Sequence, residues 1–194
     1  MKLIAITGGI GSGKSVVARL VKVMGHEVYD CDSRARALMT SDAMVREQLV
    51  EAFGTETFLA DGSLNRQHLS QMAFADEHAL ARLNAIVHPA TAQDMMQWAQ
   101  GQEAQGAKVA FCETALLRTA GLDRVVDGVW HVTASVDVRI TRVMERSGLT
   151  NQQVKERMAA QSFEEAVAEG EQVIVNDNNT AVLPQVVRLL QEIQ

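Results

Sequence analysis

The residues best equipped for chemistry stand near the amino end. Gly8-Gly9-Ile10-Gly11-Ser12-Gly13-Lys14-Ser15 reads G-x-x-x-x-G-K-S, and each residue type has a task in holding a polyphosphate. Several backbone N–H donors must converge on such a ligand, so the chain has to curl tightly with few side chains in the way. Gly8, Gly9, Gly11 and Gly13 permit that curl. A helix opening near Lys14 adds unpaired N–H groups and the positive end of its dipole. Lys14 can reach the β- and γ-phosphates, and the Ser15 hydroxyl suits Mg²⁺. The expected contacts to a nucleoside triphosphate are Gly9, Ile10, Gly11, Ser12, Gly13, Lys14, Ser15 and Val16. A chance glycine-rich turn is the bland alternative.

The flanking elements argue against chance. Lys2-Leu3-Ile4-Ala5-Ile6-Thr7 is a short apolar run suited to a buried strand, and Val17, Leu20, Val21 and Met24 share one helical face. Strand, glycine-rich loop and helix form the context that a phosphate-binding loop requires.

In an open parallel sheet, ligands sit beyond the carboxyl ends of the strands. Glu27 to Asp30 reads as the second strand, and it ends in Asp30-Cys31-Asp32 before a helix from Ser33 to Met39. Two carboxylates there can hold Mg²⁺ through water and orient or deprotonate an acceptor hydroxyl. Helix caps are the alternative use of such residues. Lys108 to Glu113 is a third strand ending in an acid, and Gly128 to Thr133 a fourth.

Residues 40–106 are helical in pattern: Ser41-Asp42 caps a helix to about Phe53, a loop with Asp61-Gly62 follows, and helices are expected over Asn65 to Ala75 and Asp76 to Gly106. A break is expected at His88-Pro89, because a residue before proline is steered from helical geometry. His88 has two readings, a substrate contact and a capping or core histidine. Leu116 to Leu122 reads as a short helix. After the fourth strand, Arg139, Arg142 and Arg146 fall on one helical face, and Thr150 caps a second helix to about Gln161. A solvated face would look the same. A lid whose arginines neutralise the transferring phosphate is favoured, with Arg146 as the foremost contact. Gln172 to Asn176 is the fifth strand, and Leu183, Val186, Val187 and Leu190 form the buried face of a closing helix.

These elements predict an α/β P-loop NTPase, nucleoside-monophosphate-kinase-like, with a five-stranded parallel sheet. Its expected core is 1–39, 107–135 and 170–194, with a helical acceptor-binding insertion at 40–106 and a helical lid at 136–169. The chain has 194 residues and a net charge of −6, which argues against a general nucleic-acid binder. No run approaches the roughly 18 apolar residues that span a bilayer. Cys31 and Cys112 lack metal-type spacing and read as buried thiols. A cytoplasmic protein, monomeric or weakly homo-oligomeric and away from membranes, is expected.

With the pieces placed, the chain resembles the dephospho-coenzyme A kinase family almost end to end. The match runs through Ile6 to Ser15, through Asp30-Cys31-Asp32 with Arg36, and through Gly62 to Arg66 followed by Phe74-Ala75. It continues in Leu83-Asn84-Ala85-Ile86-Val87-His88-Pro89, in Arg142 to Arg146 with Arg157 and Gln161, and in Val173-Ile174 with Asn176. The L-N-x-x-x-H-P element is the specific part. The resemblance implies phosphorylation of the ribose 3′-hydroxyl of dephospho-CoA by Mg·ATP. It implies Lys14, Asp32 and Arg146 as catalytic residues, Arg142 and Arg146 closing over the ATP phosphates, and Ser15 and Asp30 at the metal. Asp32, Arg36 and His88 would meet dephospho-CoA.

Two features depart from the family pattern. Leu116-Leu117 is followed by Arg118 and Thr119 rather than by an aromatic or aliphatic residue and then an acid, and Ser162 to Gln172 holds four glutamates and no basic residue. Both bear on activity or acceptor preference. Neither touches Lys14, Ser15 or Asp32, and an active enzyme is expected. The rival readings are a kinase of another small molecule, such as a nucleoside or nucleotide, and a catalytically impaired nucleotide-binding homologue. A regulatory GTPase would carry N-K-x-D, and none of the five lysines sits in one.

Overall fold

Aliphatic and β-branched runs become the strands of a parallel sheet in the computed structural model, which describes residues 1–73 and 77–193. The strands are β1 (Lys2–Thr7), β2 (Val28–Asp30), β3 (Val109–Glu113), β4 (Gly128–Thr133) and β5 (Gln172–Val175). Their order is β2-β3-β1-β4-β5, and every neighbouring pair is parallel. The expected five-stranded parallel sheet is therefore present, with β1 at its centre. Helices follow the strands: α1 (Lys14–Val23), α2 (Cys31–Ser41), α3 (Ala43–Phe53), α4 (Arg66–Ala73), α5 (Glu77–Ala104), α6 (Val136–Ser147), α7 (Asn151–Ala160), α8 (Ser162–Glu165) and α9 (Val182–Ile193).

The chain divides into two compact units, Met1–Asp30 with Trp98–Gln194, and Cys31–Gln97. In the first, alternate strand residues Ile4, Ile6, Val109, Phe111, Trp130, Val132 and Ile174 point to one face, where α1 and α9 cover them with Val17, Val21, Val186, Leu189 and Leu190. Full burial of each aliphatic side chain is worth about 1.5–3 kcal/mol. Phe111 and Trp130 meet with ring centroids 5.0 Å apart. The alternate residues Ala5, Ala110 and Cys112 are buried as well, as a sheet covered on both faces requires. Both cysteines are buried free thiols, as their spacing suggested.

The second unit has its own core of Val45, Leu49, Phe53, Leu69 and Ala79, joined by Phe58, Leu64, Leu83 and Ile86. Asp42 caps α3 by accepting from the Val45 amide at 3.0 Å. The loop after α3 contains a structure that the pattern did not suggest. Phe58 and Leu64 pair as an antiparallel bridge around the Asp61-Gly62 turn, and the Arg46 guanidinium lies over the Phe58 ring, 4.0 Å from its centroid. The helix boundaries expected at Ala75 and Asp76, and the Phe74-Ala75 element, lie outside the described residues.

Three local expectations are corrected. α5 runs through His88 and Pro89 without a break. Proline only biases its predecessor, and packing of Ala79, Leu83, Ile86 and Ala90 against the second core outweighs that bias. The capping alternative for His88 falls with the break, since His88 lies inside a helix. The expected helix from Leu116 to Leu122 is instead a turn, which leads into a 3-10 helix at Leu122–Arg124. Its Arg118 and Thr119 amides donate to the Glu164 carboxylate, and Gly121 takes a left-handed φ of 67°. In α9 the buried stripe is Val186, Leu189 and Leu190, while Leu183 is exposed. Pro89 has no N–H for the Ala85 carbonyl, so replacing it by alanine, Pro89→Ala, is expected to raise the unfolding free energy by about 1–3 kcal/mol. Urea denaturation measures this, and an unchanged or lower midpoint would show that the helix has adapted fully to the proline.

Candidate active site

The chemistry of the loop between β1 and α1 begins with its backbone. Gly13 stands at the N-cap of α1 with φ 93° and ψ 31°, a left-handed conformation that glycine adopts without strain. A β-carbon there would also collide with the Asn176 side chain. Ser12 N–H turns back to the Gly9 carbonyl at 3.1 Å, and Val16 N–H donates to the Gly13 carbonyl at 2.9 Å. The amides of Gly11, Gly13 and Ser15 are not engaged by the loop's own hydrogen bonds. Val16 itself is half exposed, its amide already committed to the first turn of α1.

The loop's carbonyls are held from outside. Lys14 Nζ donates to the Gly8 carbonyl at 2.7 Å and to that of Gly9 at 3.3 Å. Asn176, just past β5, donates its side-chain amide to the Ser12 carbonyl at 2.8 Å. Arg139 Nε donates to the Ile10 carbonyl at 2.9 Å, and Arg142 reaches the carbonyls of Gly11 and Ser12 at 3.4 and 3.5 Å. Arg142 also donates to the side chains of Asn176 and Asn178. Asn178 takes a left-handed φ of 73°, which asparagine tolerates better than most residues. Two buried hydroxyls at the loop, Thr7 Oγ1 and Ser12 Oγ, have no hydrogen-bond partner among the described residues.

The three arginines of α6 diverge. Arg139 is buried, Arg142 half-buried and Arg146 exposed. Arg146 has no hydrogen-bond or ion-pair partner among the described residues. The structure thus brings Arg139 and Arg142 to the loop. Arg139 was read only as one of three lid arginines and Asn176 only as part of the last strand, because a carbonyl-holding role has no spacing signature, and Asn178, which accepts from Arg142, was missed.

At the ends of β2 and β3, Asp30 and Glu113 are register partners. Ser15 lies in the first turn of α1. Among the described residues no three His, Cys, Asp or Glu side chains gather as a metal site. Asp30, Glu113 and Ser15 offer two carboxylates and a hydroxyl as oxygen donors. That fits an oxygen-preferring cation that completes its shell with phosphate and water, as Mg²⁺ does. Asp32 lies in the first turn of α2, exposed, and Arg36 of the same helix donates to Ser33 Oγ at 3.3 Å. His88 is half-buried within α5. These three belong to the second unit.

The acidic stretch 162–172 has internal partners. Glu164, 1% exposed, accepts from the Arg118 and Thr119 amides at 3.0 and 2.7 Å. Glu165 forms a two-point ion pair with Arg139. Glu171 pairs with Arg118 and accepts from His131 Nδ1 at 3.0 Å. His131 is buried on β4 beside Thr7 of β1. Burial pushes its pKa below the ordinary value, against the opposing pull of Glu171.

A family model described as dephospho-CoA kinase matches residues 2–182. The chain belongs to the dephospho-CoA kinase family. A Corynebacterium glutamicum protein of that name is 39% identical over 180 residues, which are 93% of this chain and 90% of the relative. One from Geobacter sulfurreducens is 38% identical over 182 residues, 93% and 91% of the two chains. Among solved structures, TT1252 from Thermus thermophilus matches with a TM-score of 0.79 at 31% identity, over 99% of this chain and 95% of its own. The dephospho-CoA kinase from Campylobacter jejuni matches with a TM-score of 0.73 over 100% and 98%, and at 22% identity it speaks to the fold. No described helix is long and apolar enough to cross a membrane.

His131 gives this site a pH signature. Its folded-state pKa is depressed, so below about pH 6.5 the unfolded chain takes up a proton that the folded chain resists, and stability falls as pH falls. Thermal unfolding from neutral to mildly acidic pH is expected to lose stability more steeply in the parent than in His131→Gln. Equal slopes would mean that other groups carry the acid sensitivity.

Proposed function

We propose that this chain transfers the γ-phosphoryl group of ATP to the ribose 3′-hydroxyl of dephospho-CoA, releasing coenzyme A and ADP. The observation that carries the reading is the Gly8–Ser15 loop, its carbonyls bonded by Lys14, Arg139, Arg142 and Asn176, in a chain of the dephospho-CoA kinase family. Such a loop leaves amides for the β- and γ-phosphates, with the α1 N-terminus behind them.

Lys14 neutralises the β- and γ-phosphates, and the amides from Gly9 to Ser15 hold them. Ser15 and Asp30 would hold Mg²⁺, which when bound neutralises charge on the phosphate oxygens. Glu113 supports that side as the register partner of Asp30. Asp32 orients or deprotonates the acceptor hydroxyl, while Arg36 and His88 contact dephospho-CoA. The segment 136–169 acts as a lid, with Arg142 at the phosphates and Arg146 joining them on closure. Most of the acceleration comes from positioning and charge neutralisation, as phosphoryl transfer requires. The enzyme works in the cytoplasm, as a monomer or weak homo-oligomer, without nucleic acid or membrane.

The acidic segment does not argue for a decayed site, because Glu164, Glu165 and Glu171 each serve a partner within the first unit. The deciding assay is ADP release with Mg·ATP and dephospho-CoA, run beside adenosine, AMP and no acceptor. Release that depends on dephospho-CoA, with a product carrying a new 3′-phosphate, is expected. Asp32→Asn should lower kcat by roughly 10²- to 10⁴-fold while ATP affinity holds. ATP binding without acceptor-dependent turnover in the parent chain would overturn the reading.

A further inference from the structure

Arg139 and Glu165 sit against the phosphate loop in a way that none of the expected roles uses. Arg139 Nε donates to the Ile10 carbonyl, and both terminal nitrogens of its guanidinium are taken by the Glu165 carboxylate. The pair lies on the loop itself. A β-carbon built on Gly9 would collide with Arg139 Nη2 and would lie 2.7 Å from Glu165 Oε1. The arginine side chain is 7% exposed and the glutamate side chain 26%, so the glutamate is the more open of the two. A negative charge thus rests at the rim of a loop whose remaining amides suit an anion.

We infer that Glu165 is a resident counter-anion of the nucleotide site. It neutralises Arg139 beside the loop and thereby holds down the affinity for the triphosphate and for the diphosphate product. This inference rests on the reading of residues 8–15 as the nucleotide site. The pair contributes little net charge at the loop. Without Glu165, the guanidinium stands uncompensated beside the phosphates; without Arg139, the carboxylate repels them. Arg139 and Glu165 are here positioning and charge-setting residues.

The two ideas separate in one titration series, with ATP, ADP and AMP binding measured by calorimetry at low salt and folding verified by thermal unfolding. Glu165→Gln is expected to tighten ATP binding by about threefold or more, ADP by less, and AMP not at all, with the gain shrinking as salt rises. Glu165→Asp keeps the charge and should bind like the parent. Arg139→Gln should weaken ATP binding, and adding Glu165→Gln to it should recover part of that loss, the rest reflecting the lost Arg139–Ile10 hydrogen bond. Equal or weaker ATP binding by folded Glu165→Gln, or a gain that does not grow with phosphate number, would overturn the inference. If Glu165→Gln does not fold, the double variant must bind ATP more tightly than Arg139→Gln, or the inference fails. A parent chain that binds no ATP would instead remove the reading of the site.

Discussion

Each peptide group of the phosphate loop carries a donor and an acceptor on opposite sides. Turning several N–H groups inward therefore turns carbonyls outward, and a buried carbonyl without a partner is destabilising. In this structure the outward carbonyls of residues 8–12 are met by Lys14, Arg139, Arg142 and Asn176. Those donors come from the first turn of α1, from α6 and from the end of β5. The glycine-rich motif is thus half of a site. Apart from Lys14, its other half is a set of side chains more than a hundred residues further along the chain.

That arrangement determines how charge is distributed in the first unit. Cations gathered under and around an anion site need partners among themselves, and the glutamates of 162–172 supply them. Glu165 meets Arg139, Glu171 meets Arg118 and His131, and Glu164 meets two backbone amides. Thr119 lacks a carboxylate of its own, yet its amide is bonded to one from α8. In this chain the turn after β3 and the segment 162–172 are connected electrostatically, through Glu164 at the Arg118 and Thr119 amides and Glu171 at the Arg118 guanidinium. Buried pairs of this kind contribute more to a defined geometry than to net stability, because desolvation offsets much of their attraction.

Much of the architecture was legible from local pattern. The strands stand out as short apolar runs, the phosphate loop as a motif between a strand and a helix, and Thr150 as a helix cap, which the structure completes as a capping box with Gln153. What was not legible depends on contacts distant in sequence. Pro89 reads as a break until the second core is seen to hold the helix on both sides of it. Leu183 belongs to the apolar face of α9 by spacing, but it lies exposed near the helix start. The three α6 arginines share a stripe, and only tertiary packing decides that Arg139 is buried while Arg146 is exposed. The bridge between Phe58 and Leu64 is too short to leave an alternating pattern.

The outward carbonyls have a thermodynamic consequence. A loop whose acceptors are already satisfied by side chains has less conformational freedom to lose when a ligand arrives, which favours a preorganised curvature over an induced one. Association then requires little reordering of this segment. Differences in affinity between ligands should reflect desolvation and charge more than chain entropy, and the side chains that matter include ones that never meet a phosphate. Asn176 is of that kind. It shapes the anion site from behind, through a single amide bonded to the Ser12 carbonyl.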